Sequence, residues 1–411
     1  MKSKIGKILL AILVIFFLGV IGHEAFLAVR TEEREEKIVT LEEAKNIIAL
    51  EKAKDEEENK VEEEVIPEDT HLKINVIGDI MCHNSQYIDA YDLYNADYDF
   101  SYAFEDIKEI TEGADIFVGN LETTFAGKEK GYSNYPTFNT PEHLAVDLQE
   151  LGMNILTTAN NHCMDTGYDG LESTLNYLDE AGLSHTGTNR SEEEQNTILV
   201  KEVNGIKIAF IAFTYGTNGI AIPKDKTYAV NLLDEEFVLS QIELAKEQSP
   251  DIICASVHWG VEYQQNPNKD QQKWADFLIK NGVTIIFGSH PHILQPMEIR
   301  EVTLDDGNVA KGFVIYSLGN FMSGQTKTGT RTSIVLNIDI TKKGENSAIF
   351  IDNISYTPIY TYVGTEAPKY KIMNIEKAVE KFESEEDTSI GKTNYNLFKS
   401  EIERLNKMFE M

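Results

Sequence analysis

Cysteine and basic side chains are both scarce in this chain. Only three cysteines occur in 411 residues, and no two of them form a Cys-x-x-Cys pair, so the sequence predicts no disulfide framework. Lysine and arginine together number 37 against 68 aspartates and glutamates, which gives a net charge of -31. Because the phosphate backbone of a nucleic acid attracts basic surfaces, this balance argues against nucleic acid as a partner.

The amino terminus carries a long apolar run. Lysines within the first seven residues precede 15 uncharged residues from Ile8 to Gly22, and residues 23–29 lengthen this run towards the roughly 20 residues that span a bilayer. We predict that residues 1–30 form a cytoplasmic tip and a single transmembrane helix in the cell membrane, with the remaining chain outside the cell. A cleaved signal peptide is the alternative, which the lack of a clear small-x-small cleavage site disfavours.

Residues 31–71 follow as an acidic spacer. Positions 31–70 hold 16 acidic and 6 basic side chains, mixed with helix-forming residues. Such a segment buries little apolar surface, so we predict a solvated helical or flexible stalk between the membrane and the first strand.

From residue 72 onward, short β-branched runs alternate with helical patterns. The strand KINVIGD, a helix near residues 104–112 and the strand DIFVGN are the first of them. This alternation is typical of parallel βαβ units, whereas the strands beyond Phe321 follow each other closely and are expected to be antiparallel. We predict an α/β domain over residues 72–363, built as a mixed two-sheet sandwich flanked by helices, and a helical tail over residues 364–411.

Polar residues stand at the ends of five predicted strands. They are Asp79, the pair Asn120 and Glu122, the pair Asn161 and His162, His258, and the pair His290 and His292. Ligands of open α/β sheets bind beyond the carboxyl ends of the strands, so we expect these side chains to converge. Oxygen and imidazole donors together suit divalent metals such as manganese, zinc or iron. The sequence therefore predicts a metal centre.

Residues beside the predicted ligands extend this hypothesis. Asp165 is spaced to hold the His162 ring, since a hydrogen-bond partner sets the tautomer of an imidazole. Cys82 and Cys163 each lie close to a predicted ligand, so a thiolate ligand is an alternative to the small buried apolar side chain that a free cysteine usually is.

Seven strings, in order over residues 72–363, make the chain resemble a known family. They are GDIM, GNLETTF, YPTFNTP, NNHCMDTGYDGLESTLNYLDEAGLSHTGT, VHWGVEY, SHPHILQPME and SLGNF. With these motifs the chain resembles the bacterial capsule synthesis CapA proteins, also called the PGA_cap family of poly-γ-glutamate biosynthesis. That family looks like a branch of the calcineurin-like metallophosphoesterases. The resemblance implies a four-layered α/β/β/α sandwich that holds two metal ions between strand-end loops.

The resemblance also implies roles for individual residues. The implied metal ligands are Asp79, Glu122, Asn161, His258, His290 and His292, with Glu122 at the position of a bridging aspartate. His162 is implied as the catalytic residue, which stabilises or protonates the departing group, and Asp165 as its support. The first motif departs from Asp-x-His, because Met81 stands at the histidine position and His83 follows two residues later. The first metal site is then weaker, occupied by a single ion, or completed by His83.

Further residues are candidates for metal or substrate contact. They are His83, Asn120, Trp259, Glu262, Tyr263 and Asn320. For those that follow His258, a wall of the substrate site and ordinary core packing are equal alternatives.

Two functions fit these features. The first is a metal-dependent hydrolase outside the membrane, which cleaves γ-glutamyl amide bonds of an anionic polymer or a phosphoester of a cell-surface polymer, with metals that activate water. The second is a non-catalytic, membrane-bound accessory subunit that binds or guides poly-γ-glutamate together with other membrane subunits of capsule synthesis. An acidic protein repels a polyanion unless metal ions or a local basic patch attract it.

Overall fold

The structure is a computed structural model that describes residues 67–410. The predicted transmembrane anchor, residues 1–30, and nearly all of the predicted stalk, residues 31–71, lie outside the described residues. Among residues 67–410, no helix has both the length and the apolar character needed to cross a membrane. The membrane anchor therefore stays a prediction.

The described chain alternates strands and helices over most of its length. In chain order the strands are β1 (Thr70–Ile80), β2 (Tyr91–Asp92), β3 (Asp97–Tyr98), β4 (Ile116–Leu121), β5 (Ile155–Thr157), β6 (Ser184–Thr186), β7 (Leu199–Val203), β8 (Ile206–Thr214), β9 (Ile252–His258), β10 (Ile285–Ser289), β11 (Leu294–Thr303), β12 (Val309–Leu318), β13 (Asn320–Met322), β14 (Thr332–Lys342), β15 (Ile349–Val363) and β16 (Tyr370–Asn374). The α-helices are α1 (Asn84–Asp89), α2 (Lys108–Thr111), α3 (His143–Glu150), α4 (Gly167–Glu180), α5 (Glu192–Gln195), α6 (Glu235–Glu247), α7 (Lys269–Lys280), α8 (Ile375–Glu383) and α9 (Gly391–Met408). Short 3-10 helices cover Ser101–Ile107, Lys128–Lys130 and Thr227–Ala229.

Two mixed sheets contain most of these strands. The first sheet has the order β16-β15-β14-β1-β4-β5-β6, with β13 paired to β1, and the second has the order β11-β12-β10-β9-β8-β7. Strands β1, β4, β5 and β6 are parallel in the first sheet, as are β8, β9 and β10 in the second. Antiparallel strands β14, β15 and β16 complete the first sheet. The prediction of a mixed two-sheet α/β domain is confirmed.

The apolar side chains form cores that separate four layers. One core lies between the two sheets and joins Ile74 of β1 to Phe210 of β8. A second joins the outer face of the first sheet to Leu175 of α4, and a third joins the second sheet to Ile242 of α6. Because the central strands are buried on both faces, their sequences are nearly continuous runs of apolar residues.

The connections agree with the sequence in one place and differ in another. Asn204 and Gly205 join β7 to β8, and both have a positive φ, as the predicted two-residue hairpin turn requires. The segment 364–411 is not wholly helical as predicted, since Tyr370–Asn374 forms β16 and pairs with β15 before α8 and α9 begin. A five-residue strand with one buried side chain leaves little hydrophobic pattern to detect.

A close backbone approach fixes the carboxyl end of β1. A Cβ atom on Gly78 would lie 1.9 Å from the carbonyl oxygen of Gly319, so only glycine permits this approach. The next residue, Asp79, lies in register with Asn120 of β4 on one side and Asn320 of β13 on the other. Polar residues of three strands are thereby aligned at one edge of the first sheet.

Candidate metal centre

Predicted ligands from several strand ends meet in one buried cluster. Glu122, His258 and His290 form one group of three, and Asp79, Glu122 and His292 form another. Within each group the available ligand atoms lie within 4.8 Å of one another, and all five side chains are buried. Because Glu122 belongs to both groups, its carboxylate lies between them.

Among residues 67–410, the buried Glu122 carboxylate has no hydrogen-bond partner. Neither of its oxygens accepts a hydrogen bond, and Oε1 lies 3.5 Å from His258 Nε2 and 3.8 Å from His292 Nε2. Burial, and after it the neighbouring Asp79 carboxylate, raises the pKa of Glu122 well above its usual range. A buried carboxylate is costly unless it is paired or coordinates a metal, so this position fits a cation.

Contacts of the His292 ring define its tautomer. Nδ1 lies 3.2 Å from Asp79 Oδ2 and 3.0 Å from Asn320 Oδ1. The Asn320 amide nitrogen donates to Gln325 Oε1 at 3.1 Å, so its oxygen is the atom that faces the ring. Since both partners of Nδ1 are acceptors, Nδ1 carries the proton, and Nε2 presents a lone pair towards Glu122.

His258 is held in a similar way. Its Nδ1 lies 2.9 Å from Ser289 Oγ, and its Nε2 lies 2.8 Å from Asn161 Oδ1. When Nδ1–H donates to the hydroxyl, three ligand atoms converge: His258 Nε2, Asn161 Oδ1 and Glu122 Oε1. Burial first, and then the adjacent imidazoles, hold the pKa of His258 well below its usual range, which keeps the ring neutral and able to bind a metal.

His290 completes this group from the adjacent loop. Its Nδ1 is buried and has no hydrogen-bond partner in the part of the chain that the structure describes, and its backbone N–H donates to Asp79 Oδ2 at 3.3 Å. Burial, and next the neighbouring His292, lowers the pKa of His290 to about 3. His290 and His292 adopt positive φ values of 96° and 60°. A strained backbone of this kind clusters at functional sites, where the surrounding structure maintains it.

Asn120 orients a ligand instead of pointing its oxygen at the cluster. Its amide nitrogen donates to Asp79 Oδ1 at 2.9 Å, and its oxygen accepts from Asn160 Nδ2 at 3.4 Å. Asn160 in turn donates to the Leu121 carbonyl at 2.6 Å. The Asp79 carboxylate is therefore fixed by a chain of amides.

His162 and Asp165 form a hydrogen-bonded pair beside the cluster. His162 Nδ1 lies 2.7 Å from Asp165 Oδ2, and their side chains are only 4% and 1% exposed. The same carboxylate oxygen accepts the backbone N–H of Phe138 at 2.6 Å, and the Phe138 ring packs edge-on against the imidazole at 4.8 Å. The pair has the geometry that the sequence predicts.

His83 belongs to neither group of three. Its Nδ1 accepts the backbone N–H of Gly324 at 3.0 Å, so the alternative that His83 completes the first metal site gains no support. Met81, at the expected histidine position, is buried, and its sulfur lies 4.0 Å from Gln325 Nε2. The group around His292 thus has one ligand fewer than an Asp-x-His motif would supply.

The residues after His258 divide between core and site. Trp259 does not form a substrate wall: it is 2% exposed, packs in the core beneath α6 and α7, and donates its Nε1–H to the Tyr316 carbonyl at 2.9 Å. Glu262 is exposed. Tyr263 does reach the site, since its ring lies 6.0 Å from the His292 ring and its backbone N–H donates to the Pro291 carbonyl.

The cysteines are ordinary buried thiols. Cys82, Cys163 and Cys254 are free and buried, and burial raises the pKa of Cys163 to about 12. None of them belongs to either group of possible ligands among the described residues. The alternative of a thiolate ligand therefore has no support in this structure.

One site residue escaped the sequence analysis. The Tyr215 ring lies 4.7 Å from the His290 ring and is stacked on His258 at 6.2 Å, while 48% of the residue is exposed. Tyr215 directly follows β8, which pairs in parallel with β9. The sequence could have indicated Tyr215, because it follows a strand that is parallel to β9 and next to it, and His258 ends β9.

The donor set suits a divalent metal. Carboxylate, amide and neutral imidazole atoms converge, and within the described residues the Glu122 oxygens and His290 Nδ1 make no hydrogen bond. This mixture is typical of zinc, manganese and iron sites. Outer partners such as Ser289, Asn120 and Asn320 orient the inner residues, as is usual around protein-bound metals.

Comparisons with known proteins agree with the motifs. The pattern of the family described as bacterial capsule synthesis protein PGA_cap matches residues 73–325. The chain is 30% identical over 311 residues to the PGA biosynthesis protein CapA of Bacillus subtilis, covering 74% of this chain and 75% of that protein. It is 27% identical over 288 residues to the capsule biosynthesis protein CapA of Bacillus anthracis, covering 67% and 66% respectively.

The chain is also similar to solved structures. The calcineurin-like phosphoesterase YfkN of Bacillus subtilis matches with a TM-score of 0.41 at 16% identity, over 77% of this chain and 96% of that one. The family pattern covers more than half of the chain, and the matched range includes every residue of the two groups around Glu122. The chain belongs to the bacterial capsule synthesis protein PGA_cap family.

Proposed function

We propose that this protein is a membrane-anchored, metal-dependent hydrolase of capsule or poly-γ-glutamate biosynthesis. The observation that carries the hydrolase proposal is the shared Glu122 carboxylate, which lies between two groups of buried side chains and whose oxygens accept no hydrogen bond from the described residues. Membership of the PGA_cap family and the CapA relatives support the capsule pathway. The bond cleaved is a phosphoester or a γ-glutamyl amide, and the predicted anchor holds the domain outside the cell.

The residues divide into those that hold metal and those that handle protons. Asp79 and His292 would hold one divalent ion, His258, His290 and Asn161 would hold a second, and Glu122, which belongs to both groups, would contribute to each. Bound divalent metal supplies electrostatic stabilisation of the charge that develops during hydrolysis and makes water more acidic. His162 donates Nδ1–H to Asp165, and when its Nε2 also carries a proton, that Nε2–H would stabilise or protonate the departing group.

A non-catalytic accessory role is the second candidate. It is favoured by Met81, which replaces the histidine of Asp-x-His and leaves the group around His292 with fewer ligands. In this role the same cluster binds metal without turnover, and the protein binds or guides the anionic polymer beside other membrane subunits of capsule synthesis.

Elemental analysis and an activity assay on the full-length protein separate these candidates. We expect bound manganese, zinc or iron, and hydrolysis of 4-nitrophenyl phosphate or of γ-linked triglutamate that is lost in His162→Ala while the metal remains. His185→Ala is the matched control, because His185 forms a remote pair with Asp179 at 3.2 Å. Metal without turnover in the wild type would favour the accessory role, and the absence of metal would contradict both.

A further inference from the structure

A loop beside the metal centre contacts several of its residues. The loop of residues 323–330 follows β13, and its Gln325 accepts a hydrogen bond from Asn320 at 3.1 Å. The amide nitrogen of Gln325 lies 3.5 Å from the hydroxyl of Tyr263, whose ring faces His292. The loop is therefore tied to the side of the cluster that Asp79 and His292 form.

Lys327 is the exposed cation of this loop. Its Nζ lies 3.5 Å from the centre of the Tyr263 ring, and that ring lies 6.0 Å from the His292 ring. A cation over an aromatic face is attracted by the ring quadrupole, so Tyr263 holds the ammonium at the rim of the centre. Within residues 67–410, the Lys327 ammonium forms no ion pair with a carboxylate, whereas Lys311 in β12, for example, pairs with Glu301.

The negative charge around the centre gives an unpaired cation there a possible role in binding an anion. The chain has a net charge of -31, and carboxylates near the centre include Asp79, Glu122 and the exposed Glu262. Such a field repels anions and lowers their local concentration. A lysine left without a carboxylate partner next to ligand residues supplies the local attraction that an anionic substrate needs.

We propose that Lys327 receives a negatively charged group of the substrate, so that a carboxylate or phosphate lies next to the bond held at the metal centre. This inference rests on the proposed function of the site and adds the feature that selects the substrate. Tyr263 positions Lys327 through the face of its ring. Gln325 positions Tyr263 from the same loop.

Binding to the full-length, metal-supplemented protein tests this selection. The probes are γ-linked triglutamate, the same peptide with its free carboxylates converted to amides, and inorganic phosphate, each measured by calorimetry at constant ionic strength. The variants are Lys327→Met, Lys327→Arg and, as a matched control, Lys392→Met. Lys392 lies 4.0 Å from the centre of the Tyr395 ring in α9, so the control removes the same kind of contact elsewhere.

We expect the wild type to prefer an anionic probe, and Lys327→Met to weaken that binding about two- to fivefold, the range for one exposed ion pair. Lys327→Arg should retain the binding, and Lys392→Met should match the wild type. A loss confined to triglutamate identifies the recognised group as a carboxylate, and a loss confined to phosphate identifies it as a phosphoryl group. Unchanged binding in Lys327→Met, or an equal loss in Lys392→Met, would overturn the inference.

Turnover in the same variants separates this inference from the proposed function. Hydrolysis without any dependence of binding on Lys327 would contradict the inference alone. Lys327-dependent binding without hydrolysis would contradict the hydrolase alone and leave the recognition of an anion intact. Thermal denaturation of each variant shows whether the fold is retained.

Discussion

The Nδ1 atom of His162 lies 2.7 Å from Oδ2 of Asp165, and both side chains are almost completely enclosed. The carboxylate is held in turn by the Phe138 backbone N–H. The imidazole is therefore fixed in one orientation, with Nδ1–H donating to Asp165. Nε2 is the ring nitrogen that acts on the substrate in the proposed mechanism. In the proposed mechanism, Asp165 acts through His162 as a positioning residue.

Replacing Asp165 by asparagine should lower kcat about ten- to hundredfold, the usual loss when an outer-shell partner is removed. KM and metal content should change little, since Asp165 contacts neither group around Glu122. Steady-state kinetics on the better of the two probe substrates measures this split. Asp179→Asn, which removes the partner of the remote His185, should leave kcat unchanged, and an equal fall in both variants would refute the positioning role.

Gly78→Ala should destabilise the fold and weaken metal binding together. The added methyl group would lie 1.9 Å from the Gly319 carbonyl oxygen, so β1 and the segment before β13 must separate, at a cost of about 1–3 kcal/mol. Asp79 would then move with β1. Chemical denaturation gives the free energy of unfolding, and Gly216→Ala is the control, because a Cβ there meets no atom within 4 Å. Similar stability of the two variants would contradict the close approach.

Trp259→Phe should affect stability and leave substrate binding unchanged. The indole N–H donates to the buried Tyr316 carbonyl, and its loss leaves that oxygen with one partner fewer at a cost of about 1–2 kcal/mol. Denaturation in urea and calorimetry with the anionic probes measure the two properties separately. A change in probe affinity at unchanged stability would restore Trp259 as a wall of the substrate site.

Asp147 should make stability depend on pH. Burial raises the pKa of this carboxyl from 3.8 to about 6, although the hydrogen bond that it accepts from the Phe100 N–H lowers the pKa. The protonated form of Asp147 is favoured in the folded state. The stability that this protonation contributes is therefore fully present below pH 3.8 and is lost as pH rises through about 6. Asp147→Asn should therefore gain stability relative to the wild type between pH 4 and pH 7, by about 1–2 kcal/mol. A constant difference across these pH values in urea denaturation would contradict the raised pKa.

The sequence predicted the convergence of the site because it depends on topology. Asp79, Glu122 and His258 each follow an apolar run, and runs of that kind become parallel strands whose carboxyl ends share an edge. The roles of Asn120 and His83 could not be obtained in this way. Whether an amide presents its nitrogen or its oxygen, and which ring nitrogen of a histidine is free, depends on contacts between segments far apart in the chain.

Packing also determines the positions of residues whose role the hydrophobic pattern of the sequence does not predict. Trp259 directly follows His258 and the end of β9, but its side chain packs in the core with α6 and α7. Tyr215 carries no motif of its own, and its stacking on His258 follows only from the pairing of β8 with β9. Strand β16 was missed because it is short and follows a segment with no strong hydrophobic pattern.

Metal content of full-length Glu122→Gln tests the shared carboxylate most directly. After equilibration with manganese or zinc and removal of free metal, elemental analysis should find more than one ion per wild-type chain. The variant should lose most of both ions, because one residue serves both groups. Glu262→Gln, at an exposed carboxylate beside the site, should keep the wild-type content. A Glu122→Gln protein that retains the full complement, or a folded wild type that binds no stoichiometric metal, would contradict a metal centre bridged by Glu122.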